Sequence, residues 1–134
     1  MTVEQLQALC NDNAFSTDLG IRFTKSGDGL VLRATLPSKW AGRGPVEPVH
    51  GGLLAAVLDT AATFALIYAT GSDWSTVDLR VDFLRPVTGG RLVVKSDVLH
   101  TGRTLGRVYS QVVESRGVAS VVALGAFRRG SEIR

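Results

Sequence analysis

The chain has 134 residues, 45% of them apolar and 20% charged, which suits one globular domain spanning 1–134 and leaves no room for a second. Its one cysteine, Cys10, excludes an internal disulfide and a cysteine-rich metal site, and fits a reducing compartment, so a cytoplasmic location is expected. The net charge of +3 is spread thinly apart from Arg128-Arg129 and Arg103/Arg107. With two Trp and two Tyr to stack on bases, that is no nucleic-acid footprint.

Met1 to Gln5 lacks the basic region and apolar run of a secretory signal. Val3, Leu6, Leu9 and Cys10 share one helical stripe, and Thr2 with Gln5 has capping-box spacing, which predicts a short helix ended by Asn11-Asp12-Asn13. Ile21 to Lys25 and Leu30 to Leu36 read as strands joined by a hairpin at Ser26-Gly27-Asp28-Gly29. From Pro37 to Gly52 prolines and glycines are too dense for a regular element, which predicts an ordered loop.

Leu53 to Ala69 is apolar or small at every position except Asp59, Thr60 and Thr63. Its Ala and Leu content favours helix, and a helix apolar nearly all round must be buried on most sides. A membrane span needs about 20 apolar residues, but Asp59 would cost roughly 2.5–3.5 kcal/mol at a bilayer centre and no basic residue flanks the run. A helix wrapped by a sheet is expected instead.

Val77, Leu79, Val81 and Phe83 alternate with Thr76, Asp78, Arg80 and Asp82, the pattern of a strand with one buried and one polar face. Leu92 to Leu99, Leu105 to Glu114 and Val118 to Phe127 follow as strands, predicting an antiparallel meander of four. The tail, Arg128 to Arg134, is expected to fray. The fold class is therefore α+β, a strongly curved antiparallel sheet of about six strands around one central helix. Its open edges and uncovered outer face predict self-association.

Val49-His50-Gly51-Gly52 immediately precedes the long helix, so the Gly51 and Gly52 amides should lie at its positive end, unblocked by side chains. Such donors stabilise an oxyanion, although paired glycines also simply permit a tight turn. Asp59 is the one carboxylate in a segment that otherwise excludes charge, as a structural hydrogen-bond partner or as a reactive group. Gly51 and Asp59 are separated by about 12 Å at 1.5 Å per residue, too far to act on one carbonyl within one chain. Either they serve different purposes or two chains pair to join them.

Val-His-Gly-Gly-Leu-Leu-Ala-Ala-Val-Leu-Asp-Thr-Ala at 49–61 and Ser-Thr-Val-Asp-Leu-Arg-Val-Asp-Phe-Leu-Arg-Pro-Val at 75–87 resemble the PaaI-like branch of the hotdog-fold acyl-CoA thioesterases. The resemblance runs from about Gly20 to Phe127. It implies a hotdog fold, a homodimer with a continuous sheet, often doubled into a tetramer, and active sites at the dimer interface that need no cofactor or metal. It also implies that the Gly51 amide polarises an acyl-CoA thioester while Asp59 of the other chain acts as nucleophile or general base. Thr76 matches a family Ser or Thr that orients the carboxylate or the water.

Relatives commonly carry Asn or Gln shortly before His-Gly-Gly, whereas residues 43–48 offer only Arg43 and Glu47 as polar candidates. Glu47, His50 and Gly52 are accordingly expected to contact substrate. The departure keeps open a non-catalytic acyl-CoA-binding or regulatory role. Imidazole exchanges protons near neutral pH, so His50 reads as a base or as a loop-fixing hydrogen-bond partner. His100 is expected at the surface. Arg103 and Arg107 bracket a turn, and their guanidinium geometry suits the CoA phosphates.

Overall fold

The computed structural model describes residues 1–43 and 46–134; Gly44 and Pro45, in the predicted loop, lie outside the described residues. Helix α1 (Val3–Asn11) opens on the capping box: Gln5 N donates to Thr2 Oγ1, and Thr2 N donates to Gln5 Oε1. Its Leu6 and Cys10 enter the core. Asn13 both ends this stretch and starts a second helix that the sequence reading missed, α2 (Ala14–Asp18), by accepting the Ser16 amide on its side chain.

Burial pushes the Cys10 thiol pKa up, and the residue is 1% exposed. Reaction follows the thiolate, so Cys10 is expected to stay silent towards Ellman's reagent in the native protein and to react fully once denaturant unfolds it. Rapid modification of native protein would show that α1 opens readily. This silence also removes the background from any assay of thiol release.

Strands β1 (Arg22–Ser26) and β2 (Gly29–Thr35) form the predicted hairpin, with Gly27 at φ +58° in its turn. Helix α3 (Gly51–Thr70) begins two residues earlier than its apolar run, capped by His50, and ends at the left-handed Gly71. Val57, Leu58 and Leu66 are wholly buried, and α3 packs against β2 and all the strands that follow it. Among the described residues it is the helix long and apolar enough to cross a bilayer; here its buried faces meet the sheet.

Those later strands are β3 (Ser72–Phe83), β4 (Arg91–Thr101), β5 (Leu105–Val113) and β6 (Ala119–Glu132). All pairings are antiparallel in one six-stranded sheet of order β1-β2-β4-β5-β6-β3. The predicted four-strand meander is thus corrected: only β4-β5-β6 are consecutive neighbours, because β4 pairs with β2 while β3 crosses to the far edge and pairs with β6. The predicted frayed tail is also corrected. β6 runs to Glu132, and Arg129 Nε donates to Ser72 Oγ with its guanidinium 5.8 Å from the Trp74 ring centre.

One irregularity in β3 bears on the site. Thr76 pairs with Phe127 and Asp78 with Ala126, so Val77 is an inserted residue, a β-bulge. The alternation predicted Val77 on the buried face and Thr76 on the polar one. The bulge reverses this locally: Val77 is 64% exposed, while Thr76 turns its hydroxyl to α3.

Candidate active site

His50 enters α3 with φ −58° and ψ 130°, and its Nδ1 accepts the Gly52 amide at 3.0 Å. That bond fixes Nδ1 as the unprotonated nitrogen and occupies one of the two amides the sequence offered at the helix end. The His50 carbonyl receives the Leu53 and Leu54 amides. The Gly51 N–H makes no hydrogen bond to a described residue, so it is the donor left facing outward at the positive end of α3. A Cβ at Gly51 would stand 3.1 Å from Phe83 Cε1, and one at Gly52 would stand 3.1 Å from His50 Nδ1. Close approach, rather than backbone conformation, favours glycine at both positions.

Asp59 lies eight residues along the same helix. It is half-buried, not enclosed as the sequence suggested, and its Oδ1 accepts the Thr76 hydroxyl at 2.6 Å. Such a short bond to a carboxylate is of the charge-assisted kind and fixes the carboxylate rotamer. Its other oxygen has no hydrogen-bond partner among the described residues. Thr63 donates its hydroxyl to the Asp59 carbonyl, not to the carboxylate.

Three concavities border these groups: one of about 340 Å³, lined by Gly51, Leu54, Phe83 and Pro86, and two that adjoin each other. A cleft of about 630 Å³ is lined by Lys39, Trp40, Glu47, His50, Gly52 and Leu53. A furrow of about 390 Å³ runs along Asn13, Ser16, Asp59, Thr63 and Phe64. Phe15 and Ala56 line both. Glu47 is drawn towards Arg43, accepting its backbone N–H at 2.8 Å and its Nε at 2.9 Å on one oxygen.

The structure therefore brings His50, Gly52 and Glu47 to one cleft, and Asp59 to Thr76. It does not join Gly51 to Asp59 within one chain, nor Arg103 to the cleft. Arg103 is exposed in the turn after β4. The nearby Gly106 packs on Leu66, about 22 Å along α3 from Gly51 at 1.5 Å per residue. The cation at the cleft is Lys39, its Nζ 4.9 Å from the Trp40 ring centre. The alternation predicted Phe83 on a buried face, but it is 54% exposed beside Gly51; the sequence reading also gave no role to Phe15 or Phe64, which line the furrow. Among the described residues no group of three His, Cys, Asp or Glu is placed to hold a metal.

Comparison with known proteins bears on the family and the fold. Residues 48–120 match the family model described as "Thioesterase superfamily". A Halobacterium salinarum protein whose name makes it a candidate esterase is 31% identical over 135 residues, covering 92% of this chain and 89% of the relative. The medium/long-chain acyl-CoA thioesterase YigI of Escherichia coli is 33% identical over 92 residues, 56% of this chain and 59% of YigI. The E. coli PaaI protein from the phenylacetic acid degradation operon superposes with TM-score 0.82 at 23% identity, covering 99% of this chain and all of that one, a likeness of fold. A further crystal structure from the thioesterase superfamily gives TM-score 0.85 at 26% identity over 98% of each chain. With its hotdog architecture and a family match over more than half its length, the chain belongs to the thioesterase superfamily and is an enzyme of the thioester-hydrolase class.

Proposed function

We propose that the protein hydrolyses an acyl-CoA to a free acid and CoA, at sites shared between two copies of the chain. The observation that carries this reading is the pair of half-sites on α3: a Gly51 N–H with no partner and a Thr76-held Asp59 with one free oxygen, too far apart to meet in one chain. The name of YigI supports an acyl-CoA as the substrate.

Association through β3 supplies the missing geometry. The strand is 12 residues long, pairs among the described residues with β6 alone, and leaves Val77 and Phe83 64% and 54% exposed. Such an edge is a template for another strand. Phe83 at one end adjoins Gly51 and Thr76 at the other holds Asp59, so antiparallel pairing of two β3 strands carries each Gly51 towards the partner's Asp59. A dimer of dimers through the outer sheet face completes the proposed homotetramer, and we place the protein in the cytoplasm.

The Gly51 amide donates to the thioester oxygen and steadies the negative charge that grows on it. In the general-base form, Asp59 takes a proton from water as the water oxygen bonds to the carbonyl carbon; the C–S bond then breaks and the proton passes to the CoA sulfur. In the nucleophilic form, the free Asp59 oxygen bonds to the carbonyl carbon as the C–S bond breaks and CoA leaves as the thiolate; water then cleaves the resulting anhydride, restoring the Asp59 carboxylate and releasing the acid, and the water's proton goes to the CoA sulfur. Thr76 holds the carboxylate in either case. Removing its hydroxyl in Thr76→Val is expected to lower kcat by about 10- to 100-fold, the worth of a hydrogen bond to a charged group, with KM little changed. An unaltered kcat would mean that Asp59 needs no such support.

The reading is tested by following CoA release from short, medium, long and aromatic acyl-CoAs. Turnover of one class supports it. Tight binding of an ester without turnover supports the acyl-CoA-binding or regulatory alternative, consistent with a Glu47 tied to Arg43 where relatives offer an amide.

A further inference from the structure

Resting on the thioesterase reading, we infer that the furrow between α2 and α3 receives the acyl group, that it selects uncharged apolar acyl chains, and that Phe15 sets the length accepted. An acyl carbon attacked by Asp59, or by water held on it, lies within about 3–3.5 Å of the attacking atom. The first methylenes of the chain must then enter a concavity that borders Asp59. The furrow does so, and the Thr76 hydroxyl is bonded to the carboxylate from β3.

The walls suit a hydrocarbon. Phe64 is steadied by Phe23, with ring centres 5.1 Å apart, and Phe15, 38% exposed, also lines the furrow. The threonine hydroxyls of the lining are turned back to the helix, Thr60 and Thr63 donating to the Ala56 and Asp59 carbonyls, and Asn13 Oδ1 accepts the Ser16 amide. No Lys or Arg lines the furrow, so an acyl group ending in a carboxylate would lose its water there without a counter-charge, beside Asp59 itself. Phe15, with Ala56, also lines the neighbouring cleft, so its side chain, the larger of the two, stands where the two spaces adjoin.

The experiment compares kcat/KM for acetyl-, hexanoyl-, octanoyl-, dodecanoyl- and succinyl-CoA in wild type, Phe15→Ala and Phe15→Trp, with thermal melts to establish that each variant is folded. Phe15→Ala merges furrow and cleft and is expected to raise the dodecanoyl-to-hexanoyl ratio about tenfold, while Phe15→Trp lowers octanoyl-CoA about tenfold and leaves acetyl-CoA within about threefold, effects in the range of one or two methylenes in a pocket. Succinyl-CoA is expected to be the poorest ester of the panel. Should Phe15→Ala unfold, Phe15→Leu makes the same enlargement more gently. If the wild type hydrolyses these esters but the Phe15 variants change all of them by one factor, or succinyl-CoA rivals octanoyl-CoA, the inference falls and the thioesterase reading stands. If the wild type hydrolyses no ester, both fall.

Discussion

Asp59→Asn is expected to lower thioester turnover by about 10²- to 10⁴-fold, the usual worth of a positioned general base, without a matching loss of stability. The substitution is nearly isosteric, and the new side-chain carbonyl still accepts the Thr76 hydroxyl now bound at 2.6 Å. What disappears is the basic, nucleophilic oxygen that has no partner. Steady-state CoA release measured beside a thermal melt separates the two effects. A fully active, folded Asp59→Asn enzyme would remove Asp59 from the chemistry and leave it a structural partner of Thr76.

The second large effect concerns a backbone atom. Proline is tolerated at the first position of a helix because the N–H it deletes has no intrahelical partner. His50, with ψ 130°, already has the extended backbone that a residue before proline adopts. Gly51→Pro therefore deletes one donor while keeping the helix start, and is expected to cost about 10²- to 10³-fold in kcat, corresponding to roughly 2.7–4 kcal/mol per oxyanion donor. The added Cβ would press on the Phe83 ring at 3.1 Å, so Gly51→Ala is the necessary control. It brings the same Cβ but retains the N–H, and most of the activity should survive. Equal losses in the two variants would assign the effect to crowding at Phe83 instead of to the amide.

Much of this site was legible because its signals are local. Thr2 and Gln5 spell a capping box. Asp59 stands out in a segment with no other charge, and His50-Gly51-Gly52 precedes an apolar run that can only be a buried helix. The features that escaped depend on pairings remote in sequence. Strand β3 joins β6, not its successor β4, because β4 is claimed by β2, and nothing in the composition of either strand records that choice. The bulge at Val77 inserts one residue into an otherwise regular alternation, and that insertion sets the Thr76 hydroxyl towards Asp59 on α3 and leaves Val77 exposed. The C-terminal residues looked polar enough to fray, yet Arg129 is held by Ser72 and Trp74. Within its own chain, the turn that holds Arg103 lies towards the other end of α3, and Lys39 stands at the cleft.

The claim that each site draws Gly51 from one chain and Asp59 from another is tested most directly by complementation. Asp59→Asn and Gly51→Pro chains, each nearly inactive alone, are unfolded together in equal amounts and refolded. In a two-fold dimer, random pairing makes about half the dimers mixed, each with one intact site and one carrying both lesions. Activity is therefore predicted to return to about a quarter of the wild-type value. A mixture no more active than the sum of its two parents would contradict the shared site.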